Sequence, residues 1–269
     1  MKTNLKINLF SQPMAFVSFI TLLFVLLSVL HGISVRSVDV PSVDLSLLLI
    51  KSIGGLFFHS KILEVISWTL ATLPLLLFIY RMIVQLNEYD QYILVRLQSR
   101  SKWWVGKFVS CALLSVVYGL WYIVIHVLVG SILFSFPFIY KINSVGAIAR
   151  LHVPSITGRI DLMALFVFLT GLVALGAVAL IAALLCKRTG SAYLLFTLFL
   201  FVSGVLYVNR LIPRELAPMM YPSFLDLFSY DFRYDRVVYA LSLNASITLL
   251  CLVMGLIFTR SAAFAFRTN

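Results

Sequence analysis

The stretch DLMALFVFLTGLVALGAVALIAALLC, residues 161–186, carries one charged residue, Asp161, at its first position and none after it. A helix needs about 20 mostly apolar residues to cross the roughly 30 Å hydrocarbon layer of a bilayer, and this stretch exceeds that length. Hydrocarbon cannot hydrogen-bond free backbone groups, so a spanning segment is stable only as a helix or within a closed barrel. Because the stretch lacks the alternation of a barrel strand, it predicts a transmembrane helix.

Five further apolar stretches predict the same structure elsewhere in the chain. The chain is 62% hydrophobic and 12% charged, whereas soluble domains have about 25% charged residues. The loops are too short to hold a separate soluble domain. We therefore predict an all-α polytopic membrane protein with six transmembrane helices, forming a single domain over residues 1–269. The predicted spans lie near 13–33, 62–84, 108–136, 161–186, 192–212 and 237–259.

The basic residues indicate a membrane partner and an orientation. A net charge of +11 would suggest nucleic acid in a soluble protein, but here the Lys and Arg residues lie between apolar stretches, where anionic headgroups retain them. We therefore expect the lipid bilayer as a partner and no nucleic acid. Six spans put both termini on one side, and the Lys and Arg counts of the two sides are nearly equal. The bias is stronger next to the spans, at Lys187-Arg188 and from Arg96 to Lys107, and favours cytoplasmic termini.

The segment between the second and third spans predicts an interfacial helix. On a helix its apolar side chains form one stripe, with two arginines four residues apart beside it. Tyr89, Tyr92, Ile93 and Leu97 form the stripe, and the arginines are Arg96 and Arg100. Trp103 and Trp104 follow, and tryptophan rings suit the level of the lipid headgroups. The spacing is compatible both with a membrane-anchored loop that binds nothing and with a helix that docks a cytoplasmic partner.

The loop after the fifth span is rich in proline and aromatic residues. Its apolar residues include Met219, Tyr221, Phe224 and Phe228. They favour short helices that re-enter the membrane and cap a pathway, while an aromatic belt that anchors a surface loop remains the alternative. The amino end, residues 4–10, has the pattern of a short amphipathic helix before the first span, though a frayed terminus would look the same.

Two side chains of the third span are candidates for a pathway. His126 lies well inside the span, and an ionisable residue at that depth is a candidate for a pathway or a polar contact. Trp121 is the second candidate. A neutral histidine that hydrogen-bonds to a neighbouring helix is the alternative without a transport role. The three cysteines are widely spaced, without a metal-binding motif, and indicate packed small residues.

Common catalytic and nucleotide-binding motifs are missing from the sequence. Gly106-Lys107 is the one Gly-Lys pair, but Phe108 follows it where a phosphate-binding loop needs Ser or Thr. The four histidines are scattered, without a close carboxylate pair, and no Gly-x-Ser-x-Gly turn occurs. We expect no enzyme activity, no bound cofactor and no metal in this chain.

The segment between spans two and three also carries a family resemblance. Its pattern of Tyr92, Arg96, Ser99, Arg100, Trp103, Trp104 and Lys107, followed by a long apolar span, resembles permease subunits of ATP-binding-cassette exporters of the ABC type-2 class. The resemblance implies that Tyr89, Tyr92, Ile93, Arg96, Leu97 and Arg100 belong to a coupling helix that touches an ATPase. It also implies a connecting helix at the amino end and a cap over the pathway exit between spans five and six.

The same resemblance implies partners and a function. The partners would be cytoplasmic ATPase subunits, which bind ATP and Mg, and a second copy of the permease or a related permease. The location would be a bacterial plasma membrane. The function would be export of an amphipathic substrate such as a peptide, lipid or drug. The alternative is a stand-alone membrane binding or immunity protein, which captures an antimicrobial peptide with the loop from Tyr221 to Tyr239.

Overall fold

A computed structural model describes residues 14–36, 45–55, 62–84, 99–136, 160–185, 189–224 and 234–260. All regular structure in these ranges is helical, which confirms the predicted all-α class. Two short 3-10 turns, Arg214–Leu216 and Pro218–Met220, follow the sixth helix. The helices are α1 (Met14–Arg36), α2 (Leu45–Ile53), α3 (Ile62–Val84), α4 (Arg100–Leu133), α5 (Ile160–Leu185), α6 (Thr189–Val208) and α7 (Tyr234–Arg260).

Five of these helices, namely α1, α3, α4, α5 and α7, are long and apolar enough to cross a membrane. The chain is thus a multi-pass membrane protein. Helix α6 has 20 residues, and its apolar part, Tyr193–Val208, is shorter than a full span. It packs along α3 and α5 within the same bundle. The count of six spans therefore stays a prediction.

The third predicted span differs from α4 at both ends. The helix begins at Arg100 rather than 108, and Ser99 caps it by accepting a hydrogen bond from the Lys102 backbone N–H. It ends at Leu133, and Ser135 just beyond has a φ of 53°, which interrupts the helical backbone. At 34 residues, α4 is about 51 Å long and exceeds the hydrocarbon thickness. The polar residues at its start therefore stay helical beyond the apolar stretch.

The first turns of α4 pack against protein. The Trp104 indole N–H donates to the Leu252 carbonyl of α7 at 3.0 Å. Its ring occupies the space beside Gly255, where any side chain would collide with it. The Lys107 ammonium donates to the Met82 carbonyl at the end of α3 at 3.5 Å. Trp103 and Trp104 are thus buried against protein, and their expected position at the headgroup level stays a prediction.

Helix α5 forms the centre of the bundle. It packs against α3, α4, α6 and α7, while α1 packs on the outside of α4. Gly176 makes the closest approach to α4, because a Cβ atom there would lie 2.6 Å from the Ser115 hydroxyl. Small residues allow such contacts between membrane helices. The apolar stretch 161–186, which predicts a span, is thus also the surface against which α3, α4, α6 and α7 pack.

Candidate functional site

Two connecting segments, residues 45–55 and 213–224, meet at one end of the bundle, and we call them the cap. The Ser223 hydroxyl and the Phe224 backbone N–H both donate to the Gly54 carbonyl, at 2.9 and 3.0 Å. Gly55 has a φ of 77°, and a Cβ atom there would lie 2.5 Å from Ser223. Glycine is therefore needed where the two segments join. The segment 45–55 contains α2, which the sequence did not predict.

The second segment of the cap enters the bundle deeply. Its Tyr221 carbonyl contacts Gly171, which lies eleven residues from the start of α5, or about 16 Å along the helix. Met219 and Phe224 are 0% exposed. These residues therefore lie well inside the helical bundle rather than on a surface loop.

Side chains of the transmembrane helices satisfy the backbone of this inserted segment. The Trp68 indole N–H of α3 donates to the Met219 carbonyl at 3.1 Å. The Asn244 amide of α7 donates to the Tyr221 carbonyl at 3.2 Å. Non-helical backbone at membrane depth is stable only where protein or water satisfies it. Trp68 and Asn244 supply those donors, so these two polar residues of apolar helices hold the cap in place.

Tyr221 and Arg214 tie the cap to itself. The Tyr221 hydroxyl donates to the Glu215 carbonyl at 3.1 Å, and burial raises the pKa of Tyr221 to about 12. The Arg214 guanidinium donates to the Ser223 carbonyl at 2.5 Å. Met219, Tyr221 and Phe224, three of the four predicted cap residues, are buried in this segment. Phe228 lies outside the described residues.

A cluster of hydroxyl and imidazole groups lies beneath α2. His126 Nδ1 lies 2.9 Å from the Tyr122 carbonyl and must donate to it, since a carbonyl only accepts. His31 Nε2 lies 3.2 Å from the Ser67 hydroxyl of α3. The two imidazole rings, on α1 and α4, have centroids 5.6 Å apart. We call His31, Ser67, Tyr122 and His126, together with Ser28, the histidine cluster.

The histidine cluster is connected to the cap. The Tyr122 hydroxyl donates to the Ser52 carbonyl of α2 at 3.2 Å. Of the two pathway candidates, His126 therefore belongs to the cluster. Trp121 lies beside it and packs edge-on against Phe24, at 5.4 Å between ring centroids. Sequence reasoning missed His31, because a histidine near the end of the first predicted span carries no signal that distinguishes it from a solvated residue.

Of the predicted coupling residues, the structure describes one. Arg100 is the first residue of α4 and is exposed. Tyr89, Tyr92, Ile93, Arg96 and Leu97 fall outside the described residues. His126 is 26 residues further along α4, or about 39 Å. Arg100 and the cap thus lie at opposite ends of the bundle.

Within the described ranges, no group of three or more His, Cys, Asp or Glu residues could hold a metal ion. Cys111 and Cys251 are buried thiols. No family model, curated protein or solved structure matches the chain.

Proposed function

We propose that this chain is the membrane-spanning permease subunit of an ATP-binding-cassette exporter with six spans and cytoplasmic termini. It moves an amphipathic substrate such as a peptide, lipid or drug across a bacterial plasma membrane. Separate ATPase subunits bind ATP and Mg, and a second copy or a related permease completes the pathway. The support is the family resemblance of residues 89–107 together with the inserted cap.

The observation that carries the proposal is the cap at the end opposite Arg100. Its backbone enters the bundle between α5 and α7, yet only hydrogen bonds and packing hold it there. In the proposed mechanism this segment also adopts a second, open arrangement, and ATP hydrolysis shifts the balance between the two. Such a segment can close an exit without blocking it permanently.

Helix α4 offers a route from the coupling end to the cap. It runs without interruption from Arg100 to Leu133 and contacts α2 through Tyr122. A push on residues 88–104 by closing ATPases would tilt α4 and strain the bond between Tyr122 and Ser52. Burial of Tyr221 and Phe224 supports a gate, because a peptide-capturing surface would expose these rings. We therefore favour the exporter over the stand-alone binding or immunity protein.

Purification of the tagged protein in mild detergent tests the partner. We expect a cassette ATPase in stoichiometric amount, identified by mass spectrometry, and ATP hydrolysis by the complex. A preparation from native membranes that contains no ATPase would overturn the exporter and favour the stand-alone protein.

Alanine replacement of Tyr92, Arg96 and Arg100 tests the coupling position. We expect loss of ATPase co-purification and of substrate export, with normal insertion in the membrane. Arg36→Ala is the matched control, because Arg36 is an exposed arginine at the other end of the bundle. Export that survives the triple replacement would reject this docking surface.

A further inference from the structure

Three polar atoms of the histidine cluster are buried without a hydrogen-bond partner. They are Ser28 Oγ and His31 Nδ1 on α1 and His126 Nε2 on α4. Ser28 and His126 are both 0% exposed. Ser28 lies one helical turn before His31 on the same face of α1. Buried polar groups in proteins nearly always have a hydrogen-bond partner. Three unpartnered atoms in one cluster therefore indicate a bound molecule that supplies the missing hydrogen bonds.

The partner of these atoms must be able to donate a hydrogen bond. His126 donates its Nδ1 proton to Tyr122, so the Nε2 of the neutral ring carries a lone pair and needs a donor. The Ser28 hydroxyl can do either. A group that only accepts, such as a carbonyl, therefore does not suit the set.

Among the described residues, the charges nearest the cluster leave no counter-ion for a charged partner. Lys51 precedes Ser52, Glu64 lies one turn before Ser67, and their charges are paired at 2.6 Å. Neither is left to balance a buried cation or anion, and an uncompensated charge at this depth is strongly unfavourable. The partner is therefore neutral.

We propose that Ser28, His31 and His126 bind one water molecule beneath the cap. Water donates and accepts two hydrogen bonds each, and buried waters typically make about three. The two imidazole rings lie close together, with centroids 5.6 Å apart, so one water can serve a nitrogen of each ring at the usual hydrogen-bond distance of about 2.9 Å. The water joins α1 to α4 and completes the hydrogen bonding of both histidines. This site does not depend on the exporter function.

Solid-state NMR on the full chain in lipid bilayers tests the site. The protein is labelled with ¹⁵N at its histidines, and polarisation is transferred from water protons to the ring nitrogens. His31→Phe and His126→Phe assign the signals. We expect transfer to His31 and His126 that persists in deuterated lipid. Failure to detect transfer to His126 would overturn the proposal.

Two further results would also overturn it. A ¹⁵N–¹⁵N coupling between the two rings would show a direct bond between the imidazoles, and metal found by elemental analysis would show an ion in place of water. Ser28→Ala keeps both histidines and should at least halve the transferred signal, whereas an unchanged signal would reject the three-atom site. Ser110→Ala is the control, because the Ser110 hydroxyl bonds only within its own helix, to the Gly106 carbonyl.

Discussion

Gly171 is the residue at which the cap and a transmembrane helix come closest. A Cβ atom there would collide with the Tyr221 carbonyl and with Pro222. The obstacle is backbone, which cannot rotate away as a flexible side chain can. Asn244 lies at the same depth and donates to the same carbonyl. The inserted segment therefore fits because Gly171 has no side chain and because Asn244 supplies a hydrogen-bond donor.

Replacing Gly171 with alanine should destabilise the protein by about 1–3 kcal/mol, since overpacking forces the backbone apart. Gly106→Ala is the matched control, because nothing lies within 4 Å of a Cβ atom there. It should be neutral or stabilise the helix by up to about 1 kcal/mol. Thermal unfolding of both variants in the same detergent measures the difference. Equal midpoints would contradict the close contact.

Replacing Asn244 with leucine should cost about 1–3 kcal/mol, because the Tyr221 carbonyl loses its donor while it stays buried. Asn209→Leu serves as the control. Asn209 is exposed and donates to Val205 in the preceding turn, so its replacement should change stability by less than about 0.5 kcal/mol. Chemical unfolding monitored by tryptophan fluorescence gives both values, and a similar loss in each variant would argue against a special role for Asn244.

Elements of this bundle are joined at both ends by a tryptophan. Trp68 of α3 donates to the cap, and Trp104 of α4 donates to α7 at the other end. Each indole N–H satisfies a carbonyl of another segment, so both rings combine apolar packing with a directed bond. The two bonds have the same chemistry and different positions, which makes them a natural pair for comparison.

Replacing Trp68 with phenylalanine should open the cap, because the Met219 carbonyl loses its donor. The readout is the rate at which a maleimide labels Ala217→Cys, a position that is buried while the cap is closed and makes no side-chain hydrogen bond. The background has Cys111, Cys186 and Cys251 replaced by alanine. We expect labelling to become several-fold faster. Trp104→Phe should lower stability by a similar amount, about 1–3 kcal/mol, and leave the labelling rate unchanged; faster labelling in both would indicate general loosening.

The whole molecule has an arrangement in which the cap lies at one end and the start of α4 at the other. Helix α6 differs from the other long helices in its short apolar part, Tyr193–Val208, so its crossing is the one to measure. If α6 crosses, residues 36 and 216 lie on the same side of the membrane and residue 102 on the opposite side. All three positions are exposed in the described structure, so a label can reach them.

Membrane topology can be measured with single cysteines in the same cysteine-free background. Arg36→Cys and Leu216→Cys should react with a membrane-impermeant maleimide in intact cells. Lys102→Cys should react only after the cells are permeabilised. If Leu216→Cys behaves like Lys102→Cys, α6 does not cross and the six-span topology is wrong.

Much of the fold could be predicted from the sequence, while only part of the candidate site could. The apolar runs predict the long helices because hydrocarbon excludes free backbone groups. Met219, Tyr221 and Phe224 could be predicted as buried cap residues, because apolar side chains cluster in a loop rich in proline. Helix α2 and His31 could not, since a nine-residue helix carries little periodic signal and a histidine near a span end looks solvated.

The sequence by itself determined that this chain is helical and crosses the membrane, because both follow from the local hydrophobicity of long segments. Only the tertiary structure decided that Ser223 meets Gly54, that Asn244 reaches Tyr221 and that His31 lies beside His126. Each of these contacts joins residues far apart in the chain. Their energy depends on distance and direction between side chains, which a linear pattern does not contain.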